Sequence, residues 1–271
     1  MAAPAAMSQL VFITGASSGI GQALAWRYYQ AGYQLALVAR REPEMLRWAQ
    51  ERGLDPARYR LYPADVAQLP DIVAAGHACL AQQGVPDVVV ANAGISLGVD
   101  TAQREDLDVM TRLFAVNNIG LAATFHPFIE PMRRRGAGRL VGMASVAGIR
   151  GLPGHGAYCA SKAAVISYCE SLRGELRGSG VRVVTLSPGY VDTPLTRQNR
   201  YAMPFLMTPD AFAARALKAI DAGVSYRVIP WQMGLVAKLL RLLPDALFDR
   251  LLAGRPRKHR TPRDGAPPGA P

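Results

Sequence analysis

Cysteine is scarce in this chain: Cys79, Cys159 and Cys169 are an odd number, and none stands in a Cys-x-x-Cys or Cys/His spacing. A disulfide framework and a zinc site are thereby excluded as organising elements, and no residue is assigned to a metal. Long apolar runs are also missing. Lys238, Arg241 and Pro244 interrupt the best candidate well short of the roughly 18 residues that span a bilayer. The opening MAAPAAMSQ lacks the basic start and apolar core of a signal peptide. Together these absences predict a cytoplasmic protein. Acidic residues are outnumbered, 20 against 31 Lys and Arg, for a net charge of +11. Such an excess suits nucleic acid or an anionic membrane. No zinc-finger, RNP or basic-zipper pattern accompanies it, so nucleic acid is not an expected partner. Part of the excess is local: between 254 and 271, Arg255, Arg257, Lys258, Arg260 and Arg263 face only Asp264.

What the chain has in quantity is apolar surface in regular alternation. Half of its 271 residues are hydrophobic, enough for one sizeable core. Residues 9–15, QLVFITG, form an apolar run ending in glycine, and Ile20, Leu24 and Tyr28 then follow at helical spacing. Further strands are predicted at 34–40, 58–65, 87–94, 138–145, 181–189 and 225–230. Helices lie between them, including one long helix over 106–135. Near-continuous Val/Ile/Leu strands alternating with helices predict an α/β fold, a parallel sheet of seven strands with helices on both faces. Residues 1–8 read as a flexible N-terminus, 9–230 as one domain, 231–253 as amphipathic helices and 254–271 as a basic, disordered tail.

Gly15, Gly19 and Gly21 lie in TGASSGIG, between the first strand and the first helix. Phosphate oxygens need close backbone approach and free N–H donors at a positive helix pole, and glycines permit both. A plain tight turn would use the same residues. In SVAGIRGLPGHGAYCASK, residues 145–162, a serine precedes a tyrosine by thirteen positions and a lysine follows it by four. About one helical turn separates Tyr158 from Lys162, so both project from one face. Taken singly, Ser145 also reads as a strand-end cap, Tyr158 as a surface aromatic, Lys162 as an exposed charge and Asn117 as a buried amide.

TGASSGIG, NAG at 92–94, Asn117 within VNNIG, Ser145, Tyr158-x-x-x-Lys162 and PGYVDT at 188–193 stand in order along the chain. As a set they resemble the short-chain dehydrogenase/reductase family. The resemblance implies a Rossmann-type, doubly wound sheet and an NAD(P)(H)-dependent oxidoreductase working as a homodimer or homotetramer. It implies that Gly15, Ser17, Ser18, Gly19, Ile20 and Gly21 cradle the pyrophosphate and that Asp65 and Val66 contact adenine. Asn92, Ala93 and Gly94 would line the ribose side. Pro188 and Gly189 would join the cofactor site, with Val191 and Thr193 holding the carboxamide. Ser145 would hold the substrate oxygen, and Tyr158 would act as general acid and base. Lys162 would bond the nicotinamide ribose, and Asn117 would complete a proton relay through water.

An acidic residue after the second strand would accept from a ribose 2′-hydroxyl. Arg40 and Arg41 stand there instead, which predicts NADP(H). Carbonyl reduction also needs a proton for the developing alkoxide. Bringing a phenol of pKa about 10 near neutrality takes roughly 4 kcal/mol, and an ammonium about 4 Å away contributes on that order. Lys162 is therefore expected to lower the Tyr158 pKa. The leading expectation is an NADPH-dependent reductase of an apolar, lipid-like ketone or aldehyde. The alternatives are an NAD(P)+-dependent dehydrogenase of a secondary alcohol and a non-catalytic NADP(H)-binding redox sensor. The intact Ser/Tyr/Lys set speaks against the sensor.

Residues 190–207, rich in Pro, Thr, Met and Tyr, follow a strand's carboxyl end and read as a lid over a small-molecule carbonyl or alcohol substrate. Beyond Pro230, two amphipathic helices and the basic tail suit peripheral contact with the inner face of an anionic membrane through 231–260. The same leucines could instead close the substrate pocket or bury in a subunit interface.

Overall fold

A computed structural model describes residues 9–199, 201–254 and 260. The apolar runs form β1 (Leu10–Thr14), β2 (Gln34–Ala39), β3 (Tyr59–Pro63), β4 (Val88–Ala91), β5 (Gly138–Met143), β6 (Val181–Pro188) and β7 (Tyr226–Ile229). Helices α1 (Gly19–Gln30), α2 (Glu42–Glu51), α3 (Leu69–Gln82), α4 (Glu105–Phe114), α5 (Gly120–Arg135), α6 (Gly156–Glu175) and α7 (Pro209–Asp221) lie between or follow them. All seven strands pair in parallel, in the order β3-β2-β1-β4-β5-β6-β7. This is the doubly wound, seven-stranded α/β sheet that the alternating pattern predicts.

The period of two along a strand decides which layer each residue serves. Val11 and Ile13 of β1 pack into a core with Leu24 and Tyr28 of α1 and Phe212 and Ala216 of α7. Leu10 and Phe12 point the other way, to Ile72 of α3, Phe128 of α5 and Val165 of α6. β1 has β2 on one side and β4 on the other, so the winding reverses between β1 and β4. In such a sheet the crevice at the carboxyl ends of the strands is where a ligand fits.

The single helix expected over 106–135 is divided. α4 and α5 are joined by a π-helical stretch, Ala115–Ile119, whose wider turn carries the buried Asn117. α5 ends with Arg133, Arg134 and Arg135 at its negative pole.

After β7 come α8 (Trp231–Leu242) and α9 (Asp245–Leu252). Met233 and Ala237 are buried, whereas Trp231, Leu235, Leu239 and Leu242 form an exposed stripe that Leu247 and Leu251 of α9 continue. Among the described residues, no helix is long and apolar enough to cross a membrane. The expected flexible start at 1–8 lies outside the described residues, as does the expected disorder at 255–259 and 261–271. Arg260 is placed: its guanidinium holds the carboxylate of buried Asp106 at 2.7 and 3.1 Å.

Candidate active site

At the carboxyl end of β1 the apolar run closes with Thr14, a buried hydroxyl that must find partners inside the protein. Its Oγ1 accepts from the amides of Asn92 and Ala93, each at 3.1 Å, while the Asn92 side-chain amide donates to the Thr14 carbonyl at 3.0 Å. The Gly-rich turn and the loop after β4 are thus held together as one floor. The sequence pattern assigns Thr14 no role; a lone polar residue ending an apolar run is its one local signal. Two glycines are sterically required here. A Cβ on Gly21 would stand 2.1 Å from the Gly15 carbonyl oxygen, so α1 could not start so close to the turn. Gly19 has φ +55°, and a Cβ there would come within 3.0 Å of Thr193.

Above this floor lies a cavity of about 290 Å³. Every residue expected to bind cofactor or reacting groups lines it except Gly21 and Asn117. Ile95, Arg112, Val116 and Met143, not anticipated from the sequence, line it too. Arg40 and Arg41 stand at the rim. Arg40 Nη1 is 3.6 Å from Asp65 Oδ2, and Arg41 Nη2 donates to Ser17 Oγ at 3.4 Å while pairing with Glu44 at 3.1 Å. The cavity therefore joins the N-terminal pole of α1, two guanidinium groups at one rim and a Ser/Tyr/Lys cluster at the other end. Its chemistry fits a dinucleotide with its phosphates over the glycine turn.

A second cavity of about 660 Å³ meets the first at Ser145, Tyr158, Gly189, Leu195 and Thr196. Tyr190 and Tyr201 of the 190–207 segment line it, together with Met233, Ala237, Leu240 and Phe248. That segment closes on itself at its base, where the Asp192 amide donates to the Met207 carbonyl at 2.8 Å and the Met207 amide to the Tyr190 carbonyl at 3.0 Å. The inner faces of α8 and α9 are thus walls of a pocket, one of the three fates left open for their leucines.

Ser145 precedes a short 3-10 turn (Val146–Gly148), and its Oγ accepts from the Ala147 amide at 3.2 Å. Tyr158 and Lys162 share one face of α6, with Nζ 5.9 Å from the centre of the phenol ring. Lys162 is buried and donates to the Met143 carbonyl at 2.8 Å. Burial pushes its ammonium down to about 8. The expected lowering of the Tyr158 pKa is not produced by these groups. Burial pushes the phenol up to about 12, against the smaller opposing effect of its hydrogen bond with Ser145. The physical reason is that removing a phenolate from water outweighs a lysine whose nearest partner is a backbone carbonyl.

Asn117 spends its side chain on structure. Oδ1 accepts from the Ile95 amide at 2.9 Å, and Nδ2 donates to the Ile95 carbonyl and to Ser161 Oγ, each at 3.0 Å. Ser161 Oγ in turn donates to the Tyr158 carbonyl at 2.8 Å. The π-helical stretch therefore ties the loop after β4 to the helix that bears Tyr158.

The family model described as short chain dehydrogenase matches residues 9–203. An uncharacterized oxidoreductase of Myxococcus xanthus is 38% identical over 240 residues, 88% of this chain and 93% of that protein. Among solved structures, the chain resembles a 3-ketoacyl-(acyl-carrier-protein) reductase from Brucella melitensis complexed with NADH. The TM-score is 0.74 at 27% identity, covering 83% of this chain and 98% of that one. It also resembles an alcohol dehydrogenase from Thermococcus sibiricus complexed with 5-hydroxy-NADP, with TM-score 0.72 at 28% identity over 82% and 96% of the two chains. With its parallel sheet, glycine turn and paired cavities, this chain belongs to the short-chain dehydrogenase/reductase family and is an NAD(P)(H)-dependent oxidoreductase.

Proposed function

We propose that the protein uses NADPH to reduce an apolar ketone or aldehyde to an alcohol, with Tyr158 as the general acid. The observation that carries this reading is the place of the phenol, where a polar, arginine-rimmed cavity opens into a larger one walled by apolar side chains. NADPH, when bound, supplies the hydride. The chain supplies orientation and the proton. Ser145, with its Oγ already accepting from Ala147, has its own hydrogen to offer the substrate oxygen. Tyr158 then gives its proton to that oxygen as negative charge develops. A phenol held near 12 stays protonated across the physiological range, so Tyr158 has a proton to give when the hydride arrives. Lys162 offers its ammonium to the ribose hydroxyls and to the phenolate left behind. Asn117 serves by fixing the Ile95 loop and α6. Arg40 and Arg41 receive the 2′-phosphate, for which a guanidinium is the better matched cation.

The test is turnover of a carbonyl panel, from short aldehydes to long-chain ketones, with NADPH and with NADH. Tyr158→Phe should lower kcat by roughly 10²–10⁴ while NADPH still binds. Near-native reduction by that variant would refute the mechanism, and equal turnover with NADH would refute the cofactor assignment.

The protein is further proposed to be cytoplasmic and to work as a homodimer or homotetramer at an anionic membrane surface. The exposed Trp231, Leu235, Leu239 and Leu242 stripe supports the membrane contact, because Lys238, Arg241 and Arg250 flank it as headgroup partners. Flotation with phosphatidylserine vesicles, comparing the full chain with Leu239→Asp/Leu242→Asp, should show loss of binding; equal flotation would remove the idea.

A further inference from the structure

Arg150 lies five residues after Ser145 and eight before Tyr158, and its side chain reaches the junction of α8 and α9. It is only 11% exposed. Its Nη1 donates to the carbonyls of Leu240 and Leu243, the latter at 2.8 Å, and Nη2 donates to Asp245 Oδ1 at 2.8 Å. The guanidinium carbon stands 3.7 Å from the centre of the Phe248 ring. One side chain thus occupies the negative pole of α8, meets an acidic residue in the first turn of α9 and lies over the aromatic ring between them and the pocket. The Asp245 carboxylate is 98% exposed, so that ion pair contributes little by itself. The two helix-end carbonyls and the ring are the substantive contacts.

Two of those four partners stand on the wall of the larger cavity. Leu240 and Phe248 line it, as does Arg150, while Ser145 and Tyr158 close its other end. Among the described residues, Arg150 supplies the side-chain hydrogen bonds that tie α8 and α9 to the domain. Met233 and Ala237 anchor the start of α8 by burial, whereas from 241 to 252 every residue except Phe248 is half-buried or exposed. We propose that Arg150 is a positioning residue for substrate: it pins the α8–α9 wall to the catalytic segment, and that wall selects carbonyl compounds with a long apolar chain running from Tyr158 towards Phe248. The loop that carries the catalytic groups and the wall that measures the chain are then one mechanical unit. This inference rests on the reductase reading above, and its test separates the two.

The measurement is the ratio of kcat/KM for 2-decanone to that for 2-butanone, with NADPH, in the full chain and in Arg150→Met. The wild-type protein should favour 2-decanone. Each methylene that loses its contact costs about fourfold, so releasing two or more should shrink the ratio by roughly tenfold or more in the variant. The loss should appear in KM for the long ketone. A smaller change, or a fall of equal size for both ketones, overturns the proposal, as does a wild-type protein indifferent to chain length. Arg150→Lys keeps the charge but cannot hold the two helix-end carbonyls and Asp245 in one planar fork, and should move the ratio the same way, which keeps the test decisive if Arg150→Met does not fold. A wild-type protein that reduces neither the ketones nor the aldehydes of the carbonyl panel refutes the reductase reading alone. In that case the affinity ratio for the same two ketones, from saturation-transfer NMR with NADPH present, decides the positioning role without turnover.

Discussion

Replacing Arg40 with aspartate should reverse the cofactor preference, and the size of the change follows from where the side chain sits. Arg40 is 60% exposed at the rim of the cofactor cavity, with Asp65 at 3.6 Å as its ion-pair partner among the described residues. That pair is too open to neutralise it. A 2′-phosphate carries about −1.5 to −2 charges at neutral pH. At a water-like dielectric a unit charge about 4 Å away contributes roughly 1 kcal/mol per phosphate charge. Exchanging a cation for an anion forfeits the attraction and adds a repulsion of similar size. After salt screening, about 2–3 kcal/mol separates the two proteins, or roughly 30- to 150-fold in selectivity. The aspartate would also accept from an unmodified ribose, as in NAD(H)-binding members of such folds. The assay is the ratio of kcat/KM for NADPH to that for NADH at fixed ketone, in wild type and Arg40→Asp. Arg41→Ala should move the ratio in the same direction by about tenfold, because Arg41 already divides its guanidinium between Glu44 and Ser17. A ratio that changes less than threefold in Arg40→Asp would show that the two arginines merely solubilise the loop.

Two further outcomes concern titration. The Lys162 ammonium has its folded pKa depressed by burial, so its charge is present at neutral pH and is lost as pH rises through about 8. Reductase kcat/KM should therefore fall above that value, and a profile flat from about 7 to about 10 would contradict the role given to this ammonium. The Arg260 hydrogen bond holds the Asp106 carboxyl below its ordinary value of 3.8. A depressed carboxyl stabilises the fold above its unfolded pKa and loses that contribution as pH falls through the folded one. Asp106→Asn should therefore lower Tm at neutral pH, with the gap from wild type narrowing under acid; thermal melts that stay parallel at all pH values would refute the pairing.

Much of the fold was legible because its signals are local. Val/Ile/Leu runs such as 10–14 and 88–91 lack the polar alternation of half-solvated strands, which by itself points to a parallel sheet buried on both faces. The glycine turn and the one-turn spacing of Tyr158 and Lys162 are likewise written in consecutive residues. The division of the 106–135 helix was not legible. Its π-helical stretch is sustained by Ile95 and Ser161, 22 and 44 positions from Asn117, and no local propensity encodes such partners.

The sequence by itself determined the family resemblance, the order of strands and helices, and which residues could carry a hydride carrier and a proton. Tertiary structure alone decided the environment of those residues. The direction of the Tyr158 pKa turned on burial, which a spacing does not contain. Thr14 emerged as the stitch under the cofactor floor only when β1 and β4 lay side by side. The amphipathic pattern of 231–252 fitted a membrane, a subunit or a pocket equally well. Folding distributed its two faces, giving Met233, Ala237, Leu240 and Phe248 to the cavity and leaving Trp231, Leu235, Leu239 and Leu242 outside. An amphipathic sequence specifies that a helix has two unlike faces; only the packing of the whole chain decides what each face meets.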